Sequence, residues 1–186
     1  GRTASHPPRA PRARGRGRDA GREGGARAAA SPVQFLVAPP SGTTFAGTFV
    51  DPEPAVSPDG STIVFRAAER DTGRERLHLR RLDQPTAEAL EGTENAIQPF
   101  WSRDSRQVAF FADGALKRLD LATRRVTVLA RAPRPEGGAW LASGDIVFNP
   151  DHGEGLYRLP AGGGPPIALT TPNPSLGELR HLGPEV

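Results

Sequence analysis

Short apolar runs separated by polar turn residues recur along this chain, and the runs themselves repeat. TIVF, QVAF and DIVF close on Phe65, Phe110 and Phe148. Leu77, Leu116 and Leu156 open LHLRRL, LKRLDL and LYRLPA at intervals of 39 and 40 residues, and Leu90, Leu129 and Leu169 end further runs at the same 39 and 40. Trp101 and Trp140 are again 39 apart. Ile63 with Phe65, and Val126 with Val128, follow the period of two that puts alternate side chains on one face of a strand. A helix would need apolar residues three and four apart over a dozen positions, and Gly and Pro interrupt every such window. A repeat near 40 residues built from β-rich runs predicts propeller blades of about four strands, with these Leu, Phe and Trp positions as the blade core. The first Phe interval is 45 because RAAERDTGRER, residues 66–76, lengthens one connection, and the expected place for that insertion is a surface loop.

Between the runs lies a repeated turn. PAVSPDGSTIVF (54–65) returns as PFWSRDSRQVAF (99–110), matching at Pro54/Pro99, Ser57/Ser102, Asp59/Asp104 and Phe65/Phe110. Pro58 fixes φ, Asp59 can accept from nearby amides and Gly60 can take a positive φ, so Ser57–Gly60 is expected to reverse the chain between two strands. In the second copy Arg103 and Ser105 replace Pro and Gly, leaving Ser102 and Asp104 to form the turn. The third, WLASGDIVF, is one residue shorter and relies on Gly144.

Composition divides the 186 residues unevenly. Residues 1–30 hold eight Arg, six Gly, eight Ala and three Pro, and the first branched aliphatic residue of the chain is Val33. Such a segment cannot offset a backbone ordering cost of roughly 1–2 kcal/mol per residue, and disorder is the expectation. It carries a net charge of +6 against −3 for the remainder. PRARGRGRDAGREGGAR faintly resembles an arginine-glycine RNA-binding segment, but it has no aromatic residue for base stacking, and a solvated linker or a misassigned start accounts for it better than nucleic acid does. Zero Cys excludes disulfides, Cys-based zinc sites and thiol catalysis. No stretch approaches the ~18 continuous apolar residues of a membrane span.

AVSPDGSTIVF and FWSRDSRQVAF resemble the blades of TolB-like, WD-like β-propeller repeats, found in periplasmic TolB, in prolyl-oligopeptidase-type peptidases and in bacterial receptor-like kinases. FFADGALKRLDLATRRVTVLARAP and GGAWLASGDIVFNPDHGEGLYRLPAGGGPPIALTT are similar in order and spacing to the C-terminal propellers of bacterial serine/threonine kinases, and VQFLVAPPSGTTFAG (33–47) to their entry strand. The resemblance covers about residues 33–186. It implies an all-β, partial WD-like propeller: an arm at 1–30, an entry strand and linker at 31–53, blades at 54–98, 99–137 and 138–176, and the start of a further blade at 177–186, where Pro184 answers Pro54 and Pro99. An arc of three blades needs further blades for closure and would leave its terminal faces uncovered.

Catalytic signatures are missing: there is no G-x-S-x-G, P-loop, H-E-x-x-H or kinase catalytic set, so no enzyme activity and no cofactor is expected of this chain. GRGRDAG (15–21) has only superficially nucleotide-like spacing. Asp151, His152 and Glu154 gather three potential metal ligands, yet a single short cluster reads as a polar hairpin tip rather than a metal site. His78 reads as a strand residue; His6 and His181 carry less. Recognition of a protein or peptide partner is the expected role, as the sensory region of a receptor-like kinase. The alternatives are the substrate-gating propeller of a serine peptidase and a TolB-like periplasmic scaffold. The compartment is periplasmic or otherwise extracytoplasmic only if such a parent is attached.

Overall fold

The computed structural model describes Gly1, residues 36–46 and residues 54–178. The arm at 1–30, GRGRDAG, His6, His181, Pro184 and most of 177–186 lie outside the described residues, as does part of 31–53.

Among the described residues thirteen strands, all paired antiparallel, form three sheets, followed by a 3-10 turn at Pro174–Leu176. In the first blade β2 (Ala55–Val56), β3 (Thr62–Glu69), β4 (Glu75–Arg81) and β5 (Glu88–Ala89) lie in chain order. The second holds β6 (Ile97–Trp101), β7 (Gln107–Ala112), β8 (Ala115–Asp120) and β9 (Val126–Arg131). The third holds β10 (Gly138–Trp140), β11 (Ile146–Phe148), β12 (Tyr157–Leu159) and β13 (Ile167–Ala168). The chain is all-β, and each sheet is an up-and-down meander.

The first sheet has a fifth member. β1 (Thr43–Phe45) pairs with Ala67–Glu69 of β3, on the same edge that β2 occupies at Ile63 and Val64. The insertion expected as a surface loop instead lengthens this hairpin: β3 and β4 stay paired from Thr62↔Arg81 to Ala68↔Glu75. Two features hold the extension. Ala67 is buried, and Arg66 meets Glu75 at 2.6 Å while Arg76 meets Glu91 at 2.8 Å and Glu69 at 3.4 Å.

Period-two patterning sets the packing. Val64, Leu77, Leu79 and Leu90 from blade one meet Trp101, Val108, Phe110 and Leu119 from blade two in one buried seam. On the opposite face of blade two, Ala109, Phe111 and Leu116 meet Ile146, Phe148 and Leu159 in the next. β7 is therefore apolar at every position from Val108 to Ala112, because both its faces are covered.

Two core positions depart from expectation. Leu169 is 49% exposed, and Leu156 precedes β12 and is only half-buried. The reason is geometric. Leu169 donates its N–H to the Leu156 carbonyl at 2.8 Å, just as Leu90 does to Leu77, so this pair belongs to the face of blade three turned away from blade two. Leu129 and Trp140 are likewise half-buried, at the margin of the second seam. The outer face of blade one is not bare, because Ile63, Phe65 and Ala67 are buried with Val37, Leu82 and Ala87 packed on them.

Candidate functional site

The turns between first and second strands sit at one end of each blade. In the first, the Asp59 carboxylate accepts from the Ser57 hydroxyl at 2.6 Å, the Ser61 amide at 2.9 Å and the Ser61 hydroxyl at 2.8 Å, while Gly60 adopts φ +70°. In the second, Asp104 accepts from the Ser102 hydroxyl at 2.7 Å and the Arg106 amide at 3.1 Å, and Ser105 takes the glycine position at φ +60°. These bonds favour the ionised carboxylates and hold both pKa values below the ordinary aspartate range, led in each case by the serine hydroxyl. The Asp59 amide also donates to the Ser105 hydroxyl at 3.2 Å, joining neighbouring turns. Gly144 completes the third turn at φ +87°.

Along the inner strands runs a groove of about 260 Å³ between Val56 and Pro58 of blade one, Pro99, Phe100 and Arg103 of blade two, and Trp140 of blade three. Trp101 fixes one wall: its indole N–H donates to the Ala55 carbonyl at 3.0 Å, tying β6 to β2. Gly138 fixes the other, since a Cβ there would stand 2.9 Å from the Phe100 ring. Ile97 faces Phe111 and Phe100 faces Ala109, so Gln98 and Pro99 form a bulge in β6. Val56 is 53% exposed on this wall. Pro99 needs no ladder donor on an edge strand, and the bulge spoils the edge for further pairing.

At the turn end, between blades two and three, the groove continues into a cleft. One chamber of about 370 Å³ is lined by Arg103, Asp104, Gln107, Arg118, Trp140 and Ser143. A second, of about 320 Å³, shares Arg118 and Trp140 and reaches Leu129, Ile146, Leu159 and Gly162–Gly164. Trp140 is oriented by its indole N–H, which donates to the Gly144 carbonyl at 3.0 Å. The acidic groups around the cleft are engaged: Asp104 as above, and Asp145 by the Ala161 amide at 2.9 Å and Arg158 at 3.0 Å, which lower its pKa in that order. The Arg118 backbone is held in the sheet opposite Ala109 and Thr127, while its side chain has no ion pair or hydrogen bond among the described residues.

Asp151, His152 and Glu154 turn to different partners. Asp151 pairs with Arg134 at 2.6 Å and His152 contacts the Glu136 carboxylate, whereas the Glu154 carbonyl accepts from the buried Asn149 amide at 3.1 Å. Glu154 also bonds Tyr157 and raises the pKa of its phenol. Among the described residues no three His, Asp or Glu side chains converge on one point. His78 is buried, stacked on Phe65 with ring centroids 5.9 Å apart and its Nδ1 3.3 Å from the Arg76 carbonyl oxygen. Desolvation leads the causes that lower its pKa. No helix among the described residues is long and apolar enough to cross a membrane.

The repeat pattern assigns Trp140 to the blade core and Ser57–Gly60, Ser102 and Asp104 to structural turns, and it marks neither them nor Arg118 as binding residues. Stacking LHLRRL, LKRLDL and LYRLPA on their first leucine puts Leu79, Arg118 and Arg158 in one column, which is the signal that marks it.

No protein-family description matches the chain, and no curated protein matches it. Solved structures do. TolB from Acinetobacter baumannii superposes with a TM-score of 0.52 and 25% identity, over 64% of this chain and 32% of that one. A structure assigned as TolB from Agrobacterium tumefaciens gives 0.53 and 18%, over 62% of this chain and 44% of the other. The chain thus spans 32% and 44% of these neighbours' length, and its fold is a partial TolB-like β-propeller.

Proposed function

We propose that this chain is a non-catalytic recognition module whose inner-strand groove receives an extended polypeptide. The observation that carries this reading is the groove itself. It joins exposed Val56 and the Pro99 and Phe100 surfaces to Arg103 and the half-buried Trp140 across three blades. Apolar walls with a few polar groups suit a peptide, whose side chains supply the matching apolar area. The test is selection of a displayed random-peptide library on the full chain. Enrichment of a consensus that Val56→Asp abolishes, with the melting curve unchanged, is the expected result. No enrichment, or enrichment indifferent to Val56→Asp, would reject the groove.

The attachment belongs to the same proposal: the sensory region of a bacterial serine/threonine kinase, supported by the likeness of residues 110–171 to those propellers in order and spacing. Reading the genomic frame outward tests it. A kinase catalytic loop and an apolar span upstream are expected; a G-x-S-x-G hydrolase domain downstream would favour the peptidase alternative, and a signal peptide with neither would favour the periplasmic scaffold.

A further inference from the structure

One column of the repeat changes character from blade to blade. Leu79, Arg118 and Arg158 face Val64, Ala109 and Val147 across the second and third strands. Leu79 is buried in the first seam, and Arg158 donates to Asp145 at 3.0 Å. Arg118 neither packs into an apolar core nor pairs with a carboxylate, although it is half-buried in the second seam and lines both chambers of the cleft. No Arg118 nitrogen is among the buried unpartnered atoms, so its guanidinium lies open to the cleft and can receive an incoming anion directly. Its planar fork matches a carboxylate through two parallel N–H···O bonds. The neighbouring carboxylates direct their hydrogen bonds elsewhere, Asp104 to Ser102 and Arg106 and Asp145 to Ala161 and Arg158, so neither is bonded to Arg118.

The rest of the cleft narrows the class of anion. Leu129, Ile146, Leu159 and the Trp140 ring form an apolar wall beside Arg118. Gly163 donates to the Pro160 carbonyl at 3.0 Å, which leaves the Gly162 and Gly164 amides without a bond to the described residues. A chain terminus brings a carboxylate and an apolar side chain on the same Cα, which fits this juxtaposition; a phosphate brings no apolar group. We infer that the cleft binds the C-terminal carboxylate of a polypeptide ending in an aliphatic residue, with the carboxylate on Arg118 and the side chain against Leu129 and Leu159. This deepens the peptide-recognition reading and rests on it, since the groove and the cleft share Arg103 and Trp140.

The test uses N-acetyl-leucine, a minimal terminus too small to span the groove, titrated to about 10 mM for a millimolar site into the isotope-labelled full chain and followed by amide and indole NMR shifts. Saturable shifts at the Trp140 indole N–H and the Gly162 and Gly164 amides are expected. N-acetyl-leucinamide, which lacks the carboxylate, should leave them unmoved. Arg118→Leu installs the residue that blade one carries at this position and should abolish the shifts while preserving the melting temperature. Equal shifts with the leucinamide, persistence in Arg118→Leu, or equal response to inorganic phosphate would overturn the inference. So would equal binding of N-acetylglutamate α-amide, which would assign the site to acidic side chains. Val56→Asp should not alter these shifts, so failure of the groove and failure of the cleft are told apart.

Discussion

The two seams of this molecule use the same strand, β7, and differ in how they finish. Toward blade one, Val108, Phe110 and Ala112 meet an unbroken apolar row that includes Leu79 and Leu90. Toward blade three, Ala109 and Phe111 meet Ile146 and Phe148, but the row ends at Arg118 and opens into the cleft. One seam is apolar throughout its buried row; the other is apolar at one end and opens into the cleft at the other. A repeat protein can thus place a binding site by changing a single column of its repeat, leaving the backbone path intact.

The hardest test of that contrast is a pair of truncations on neighbouring residues of one strand. Phe110→Ala and Phe111→Ala each remove a fully buried ring, and each should cost about 4–5 kcal/mol in urea unfolding. Their local effects should separate: hydrogen exchange should accelerate across blade one for Phe110→Ala and across blade three for Phe111→Ala. Identical exchange patterns would mean that the seams are not distinct packing units.

A smaller difference is expected between the tryptophans. Trp101 is 7% exposed and bonds across blades to Ala55, whereas Trp140 is half-buried and bonds within its own turn. Trp101→Ala should cost about 3 kcal/mol and Trp140→Ala about 2 kcal/mol, read from denaturant midpoints. A reversed order would show that the cleft margin, not the first seam, dominates stability.

The smallest effect sharpens the comparison through pH. Neutral His78 lies in the outer layer of blade one, with Arg76 and Arg80 on its own strand and Glu69 near, and apolar Phe65 across from it. Its folded pKa lies below the ordinary imidazole value of about 6.5, so below that pH the unfolded chain binds the extra proton. Stability should fall as pH drops through about 6.5 and level off once the folded-state pKa is passed. His78→Leu should flatten this limb in thermal melts taken from neutral to mildly acidic pH. An unchanged limb would remove His78 as its source. Asp59 and Asp104 act lower: their depressed pKa values stabilise above the unfolded carboxylate range, and that contribution is lost as pH falls through the folded values.

Much of the architecture was legible because a propeller writes its period into the chain. Phe65, Phe110 and Phe148 mark the strand beside each turn, and Leu77 with Leu116 marks where the next strand packs. Leu169 shows where that logic stops. Its sequence context matches Leu90, but burial depends on a neighbouring sheet that a residue's own repeat does not specify. The 66–76 insertion departs from expectation for a similar reason, since polar, charged residues suggest a loop until Arg66 and Arg76 find Glu75 and Glu69 in the hairpin and Glu91 beyond β5. Arg118 was hidden in plain view, because an arginine in a strand looks solvated until its column is compared between blades.

The cover over Ile63, Phe65 and Ala67 has a temporal meaning. Val37, which packs on these residues, is made by the ribosome before the strand it shields, so the first blade can seal one flank while the second is still being translated.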